Sequence, residues 1–464
     1  MPNIQGFVDL DAKIDAGMKA HSIPGVAVAI WADGEECVKG YGVTNVDYPM
    51  PVDDDTVFRI GSTTKTFTGT AMMRLVDQGK VDLDAPVRRY LPEFAVADAA
   101  ASAEVTVRQL LNHTPGWLGD DIQDFGRGDD ALARYVDAMY RLPQLTAPGS
   151  VFAYNNAGLV VAGRVIEAVT GSTYESAVQS LLLDPLQLTR THYFSDQIVG
   201  LNVAASHNVV DGKPVVDTGF WAFPRSCNPT GGLMSTARDQ LRYARFHLGD
   251  GSAPDGTRLL SQQSLEEMPS TSGVGGTLLV EMIGMGVTWM LRPSAENVTI
   301  AQHGGTWSGQ HSGFFMVPER NFAMTVLTNS EGGAQLTNEL FADDWALRIF
   351  AGVSNLPATP AQLSADELRP YEGQYVAEQN TQPGSVQQVI IELRAGDGQL
   401  DGTISVADGS GTEPERLGLA FYRPDVCLNL GPDNKPIGTR SDFVRGADGT
   451  ITWFRNHGRL FRRQ

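Results

Sequence analysis

The strongest constraint on this chain is a change of texture near residue 350. Before it, long apolar stretches repeat at helical spacing; after it come short alternating runs punctuated by Asp397-Gly398, Asp408-Gly409 and Asp448-Gly449. Asp-Gly pairs between apolar runs are hairpin turn signals. A chain of 464 residues also exceeds what one hydrophobic core organises. We therefore expect a large first domain over 1–352, a Pro-containing linker over 353–365 (within AGVSNLPATPAQLSADELRP), and a small all-β barrel or sandwich over 366–464.

Within the first domain, Phe7, Leu10, Ile14 and Met18 mark an amphipathic helix, and the runs from Gly25 to Trp31 and from Cys37 to Val43 form a hairpin around Asp33-Gly34. Helical periodicity follows at 62–79, with Phe67, Met72, Leu75 and Val76 as its apolar face, and at 107–111, 131–140, 157–170 and 174–183. Strand patterns return at 286–291, 299–303, 313–317 and 322–328. Strands at both ends with helices between them predict an α/β domain, an antiparallel sheet flanked by helices plus a helical subdomain.

Charge removes several function classes. With 35 Lys and Arg against 54 Asp and Glu the net charge is −19, the wrong sign for nucleic acid or an anionic membrane surface. The three cysteines are widely separated and fit neither a disulfide framework nor a zinc site. No stretch has the length of a membrane span, and no basic n-region precedes an apolar run at the start. The expectation is a cytoplasmic protein, or a secreted one whose signal has been removed, with a small-molecule or peptide substrate and no cofactor or metal.

The chemistry concentrates in three places. In Arg59-Ile60-Gly61-Ser62-Thr63-Thr64-Lys65, a serine opens a helix and a lysine follows one turn later on the same face. A serine hydroxyl needs a base, and a lysine serves only if its surroundings depress its pKa. The helix start also offers the Ser62 N–H to an oxyanion. Alone, Ser-x-x-Lys describes a capped helix with an exposed lysine just as well. Tyr154-Asn155-Asn156 stands at the entrance of the next long helix, where Tyr154, with its phenol pKa lowered by a cation, would shuttle a proton and Asn156 would bind Lys65 and a substrate carbonyl. In His303-Gly304-Gly305-Thr306-Trp307, His303 would face the nucleophile and titrate near neutral pH. Gly304 and Gly305 would permit close backbone approach, the Thr306 N–H would be the second oxyanion donor, and Trp307 would border the substrate.

Taken in order, Ser62-x-x-Lys65, Tyr154-x-Asn156 and His303-Gly304-Gly305 resemble the penicillin-recognising serine hydrolases, in the branch of class C β-lactamases, D-aminopeptidases, DD-peptidases and esterases. FRIGSTTKTFT, GKVDLDAPVRRYLP, LLNHTPG and PTGGLMSTARDQLRYARF support the likeness over about residues 5–350. It implies a β-lactamase/transpeptidase-like fold, acyl-enzyme chemistry without a cofactor, and a lipocalin-like C-terminal domain that leans over the cleft. The third motif often reads Lys-Thr-Gly in this family; His-x-Gly resembles D-aminopeptidases, peptide cyclases and some esterases. The implied activity is hydrolysis of amides or esters, with D-residue-containing peptides as substrates. Two other readings are a thioesterase or transpeptidase that cyclises peptides, and a β-lactamase or a penicilloyl-binding protein that acylates without turnover. His113 is read as a loop-holding residue and His311 as a candidate cleft border. Trp117, Phe125, Trp221, Phe223 and Trp307 are candidate pocket walls.

Overall fold

A computed structural model describes residues 4–219, 222–380, 386–407 and 413–464. Trp221 and the Asp408-Gly409 turn lie outside the described residues.

The first helix, α1 (Ile4–Ala20), leads into strands β1 (Gly25–Ala32) and β2 (Glu35–Gly42). The chain returns to them only after the helical layer, through β3 (Gly284–Met285), β4 (Met290–Arg292), β5 (Ile300–Gln302), β6 (Gly305–Trp307), β7 (Gln310–Val317) and β8 (Phe322–Thr328). The sheet order is β2-β1-β8-β7-β5-β4-β3, with β6 pairing the start of β7. Thus the N-terminal hairpin and the late strands form one antiparallel sheet, as expected, and Val26 lies opposite Thr328. The 286–291 pattern, however, is not one strand. Residues between β3 and β4 turn back, with Thr288 at φ 62°, and β3 pairs β4. Periodicity over six residues does not distinguish a strand from a tight hairpin whose two arms share a face.

Between sheet and helical layer runs α2 (Thr64–Asp77), the helix that carries the Ser-x-x-Lys lysine. Its expected single apolar face proves too narrow: Lys65, Phe67, Gly69, Ala71, Met72, Met73 and Leu75 are all buried, together with four threonines. A helix enclosed on all sides must satisfy its polar groups internally. Thr68 Oγ1 pairs with the Tyr174 hydroxyl and Thr70 Oγ1 with the Tyr243 hydroxyl, both at 2.7 Å. Helix α3 (Asn156–Thr170) packs beside it, capped by the Asn155 side chain accepting from the Gly158 N–H at 2.7 Å.

The C-terminal part is a closed, sequentially connected antiparallel barrel of eight strands, β9 (Gly373–Asn380), β10 (Val386–Ala395), β11 (Leu400–Val406), β12 (Glu415–Arg423), β13 (Val426–Leu430), β14 (Pro436–Arg445), β15 (Ile451–Asn456) and β16 (Arg459–Arg463). Closure removes the sheet edges a sandwich would leave open. Its core is Tyr375, Ile391, Leu400, Leu419, Phe421, Phe443 and Phe454 among others. The barrel docks on the first domain through backbone bonds, Ile122 N–H to the Asn380 carbonyl at 2.8 Å, Arg440 N–H to the Leu279 carbonyl at 3.0 Å and Tyr154 N–H to the Gly458 carbonyl at 2.8 Å. No helix among the described residues is long and apolar enough to cross a membrane. The three cysteines are free.

Candidate active site

The serine turn is built by close backbone approach. Phe58–Arg59 pairs Met234–Ser235, and Gly61 then adopts φ 48°, a conformation that favours glycine, before the Gly61–Thr63 turn enters α2. A Cβ on Gly61 would stand 2.6 Å from the Thr306 nitrogen, and one on Gly305 would stand 2.0 Å from the Ile60 oxygen and 2.6 Å from the Ser62 nitrogen. The glycines therefore let β6 lie directly on the serine turn, bringing the backbone around Ser62 and Thr306 together. Gly304 does not serve that contact, since its nearest obstacle is the Ser312 oxygen at 3.1 Å.

Lys65 Nζ sits 2.9 Å from Ser62 Oγ and donates to the Thr230 carbonyl at 2.7 Å. Lys65 is fully buried while Ser62 is partly open. Burial holds the Lys65 pKa well below its ordinary value, the Arg459 charge adds to that depression, and Asp120 opposes it. A neutral amine can accept the Ser62 proton while its own N–H stays on Thr230.

Tyr154 lies within reach of both, with Lys65 Nζ 4.9 Å from its ring centroid. Its phenol is not lowered, contrary to expectation. Burial raises the pKa, and the hydrogen bond with Ser62 and the charge of Arg459 only partly offset this. The pair is thereby split into a lysine that is a base and a tyrosine that is a proton-bearing phenol.

His303 also departs from the sequence reading. It is completely buried, so it does not face the cleft, and burial lowers its pKa to about 3. Its Nδ1 is 2.7 Å from the Gly304 carbonyl, which can only accept, so the neutral ring donates there and holds the backbone leading into β6. Asn156 lines the cleft and its amide N–H donates to Asp120 Oδ1 at 2.8 Å, while Lys65 Nζ meets Ser62 and Thr230. Trp307 and Phe223 meet edge to face at 4.5 Å and both line the cavity.

Of the residues weighed as secondary, His113 is buried, accepts the Asn155 N–H on Nδ1 at 2.9 Å and stacks on Tyr154 at 4.6 Å, holding the tyrosine loop. His311 borders the cavity and pairs with Thr306 Oγ1 at 2.9 Å. Trp117 is fully buried and Phe125 packs against Tyr135, so neither walls the cleft.

Sequence reasoning missed Asp120, Thr230 and Arg459. Arg459, in the last barrel strand, donates to Asp120 Oδ2 at 2.8 Å and lies 4.7 Å over the Tyr154 ring. The joint cavity is about 920 Å³ and is lined from both parts of the chain. Among the described residues no cluster of His, Cys, Asp and Glu could hold a metal ion.

A serine beside a buried lysine at the mouth of a helix, with a phenol hydrogen-bonded to it, is the arrangement of a serine acyl-transfer hydrolase. The sequence profile of the beta-lactamase family matches residues 10–347, and the chain belongs to that family. It is 36% identical over 371 residues to Penicillin-binding protein 4 of Amycolatopsis lactamdurans, covering 79% of this chain and 96% of that protein. Its fold is similar to the crystal structure of SurE with D-Leu, at a TM-score of 0.74 and 25% identity over 99% of this chain and 100% of the other. A class C beta-lactamase matches at a TM-score of 0.60 and 22% identity over 74% of this chain and 97% of its own, a likeness of fold. The chain is thus a serine hydrolase of the beta-lactamase and penicillin-binding-protein type.

Proposed function

We propose that the protein acts through an acyl-enzyme on amide or ester bonds of peptides containing a D-residue. Ser62 attacks the carbonyl carbon, Lys65 takes the hydroxyl proton, and the Ser62 and Thr306 N–H groups hold the oxyanion. Tyr154 passes a proton to the leaving nitrogen or oxygen as the old bond breaks; Lys65 restores it. Water then attacks the ester, returning the proton to Ser62 and releasing the acid. Asn156, fixed by Asp120, and the Phe223–Trp307 pair border the substrate, while His303 positions β6.

The observation that carries this reading is the 2.9 Å approach of Lys65 Nζ to Ser62 Oγ in a buried setting that depresses the amine's pKa. The preference for a D-residue is supported by the likeness, barrel included, to a structure holding D-Leu. A second reading, transfer of the acyl group to an amine within the same peptide, is supported by the barrel residues that line the cavity, since a wall that limits access of water would favour an amine acceptor.

Intact mass after a fluorophosphonate, with p-nitrophenyl ester turnover alongside, tests the proposal. We expect a single adduct and steady turnover, both absent in Ser62→Ala. Full turnover by that variant overturns the reading, and a stoichiometric burst that stops indicates a penicilloyl-binding type of protein. Product mass with a D-terminated peptide thioester separates hydrolysis from cyclisation.

A further inference from the structure

The cavity does not end at Ser62. Past Gly304 it continues between the sheet and the barrel, walled by Phe315, Phe341, Leu417, Leu430 and Ile437. Among the polar side chains in this wall are Arg292, Gln302 and Thr439, only 3%, 8% and 6% exposed. Arg292 Nη1 donates to the Phe341 carbonyl at 3.0 Å, but Arg292 Nη2, Gln302 Oε1 and Thr439 Oγ1 have no partner.

A buried polar atom left unpaired costs roughly 1–3 kcal/mol, so three around one chamber call for an explanation. Arg292 also makes no salt bridge among the described residues, although burial and the neighbouring Arg440 lower its pKa only to about 9, so it stays charged at neutral pH.

Their placement is ordered by the sheet. Gln302 pairs with Met290, which puts Arg292 diagonally across on the same face, roughly 7–8 Å away. Gln302 is three residues before Gly305, roughly 10 Å along the strand and, by strand alternation, on its other face, so the cavity reaches it past Gly304. Gly305 in turn rests on the serine turn. A ligand group here would sit at least about three peptide units from the acylated carbonyl.

The donor on Arg292, the acceptor on Gln302 and the apolar surround complement a peptide unit: a carbonyl, an N–H and a hydrophobic side chain. We infer that Arg292, Gln302 and Thr439 form a distal subsite that binds an internal amide and an adjoining apolar side chain of an oligopeptide acyl donor. This rests on the proposed function, because the site is defined by its distance from Ser62. It makes the natural donor a peptide of several residues, and gives strand β14 of the barrel a direct part in choosing it.

The test compares p-nitrophenyl esters of acetyl-D-leucine and of an apolar N-acetyl pentapeptide ending in D-leucine. Wild type should prefer the pentapeptide ester. Arg292→Met, Gln302→Met and Thr439→Val should reduce kcat/KM for the pentapeptide by about tenfold to a hundredfold for Arg292 and less for the others, with acetyl-D-leucine ester turnover unchanged. N-methylation of the amide three residues from the ester should cost wild type as much, and cost Arg292→Met little more.

Equal losses on both esters would mean that the variants damage the fold, and would overturn the subsite. So would a wild type indifferent to length or to N-methylation. Thr439→Val, nearly isosteric, keeps the comparison valid should Arg292→Met fold poorly. Turnover that survives Ser62→Ala would instead bring down the proposed function, and the subsite with it.

Discussion

Arg459 Nε donates to Asp120 Oδ2 at 2.8 Å across 339 residues of chain, so a barrel strand and a first-domain loop share one charge network beside the nucleophile. Both charges act on Lys65, Arg459 lowering its pKa and Asp120 raising it. Each domain thus sets part of the basicity on which acylation depends.

The pH profile follows from the signs. Activity requires the neutral amine, so it is present above the folded pKa of Lys65 and lost as pH falls through it; because that pKa is depressed, the acid limb lies well below the ordinary lysine range. Arg459→Met removes a depressing charge and leaves Asp120 unopposed, so the limb of kcat/KM should move to higher pH. Asp120→Asn should move it lower. A pH profile of ester turnover for the three proteins checks both directions, and unmoved limbs would mean that Lys65 is not the titrating base.

Glycine substitutions separate the two positions of the third motif. A Cβ at Gly305 would meet the Ile60 oxygen at 2.0 Å and the Ser62 nitrogen at 2.6 Å, both backbone atoms that cannot turn aside. Gly305→Ala should displace β6 from the serine turn and lower kcat by about 10²–10³, the scale of losing an oxyanion donor. Gly304→Ala meets only the Ser312 oxygen at 3.1 Å and should keep most of the activity. Comparable losses at both positions would argue against the oxyanion role of this backbone.

Tyr154→Phe keeps the ring that stacks on His113 and underlies Arg459, and removes only the hydroxyl. Thermal stability should change little while kcat falls by about 10²–10⁴, the range for one general acid or base. Since Tyr154 is raised by burial, it should not contribute a limb below its ordinary pKa in wild type. Single-turnover acylation is the measurement, and an unchanged rate would remove Tyr154 from the proton path.

Ser62 and Lys65 were legible because three residues on a helix are one turn on one face, a local fact that tertiary structure preserves. The sheet was legible because strand periodicity at both ends of a chain has few ways to bury itself except together. Asp120 and Arg459 carry no such mark. Each is a single charged residue in an ordinary turn or strand, and their meeting is created by barrel docking through Gly458 against Tyr154. The electrostatic expectations for Tyr154 and His303 failed for a related reason: one took a neighbouring cation as decisive and the other an ordinary imidazole, whereas burial is the larger effect at each and is invisible in sequence.

His113 offers a test of whether a histidine beside the site works by chemistry or by support. Burial holds its pKa well below the ordinary value, and its Nδ1 is occupied as an acceptor. Its Nδ1 accepts the Asn155 N–H, and Asn155 also caps α3 and donates to the Trp117 carbonyl at 2.8 Å. His113→Leu leaves that N–H unpaired in the interior, at a cost of about 1–3 kcal/mol. The expected result is a lower unfolding midpoint and a modest fall in kcat as the Tyr154 loop loosens, with the limbs of the pH profile in place. A moved limb at unchanged stability would mean that His113 exchanges a proton during catalysis.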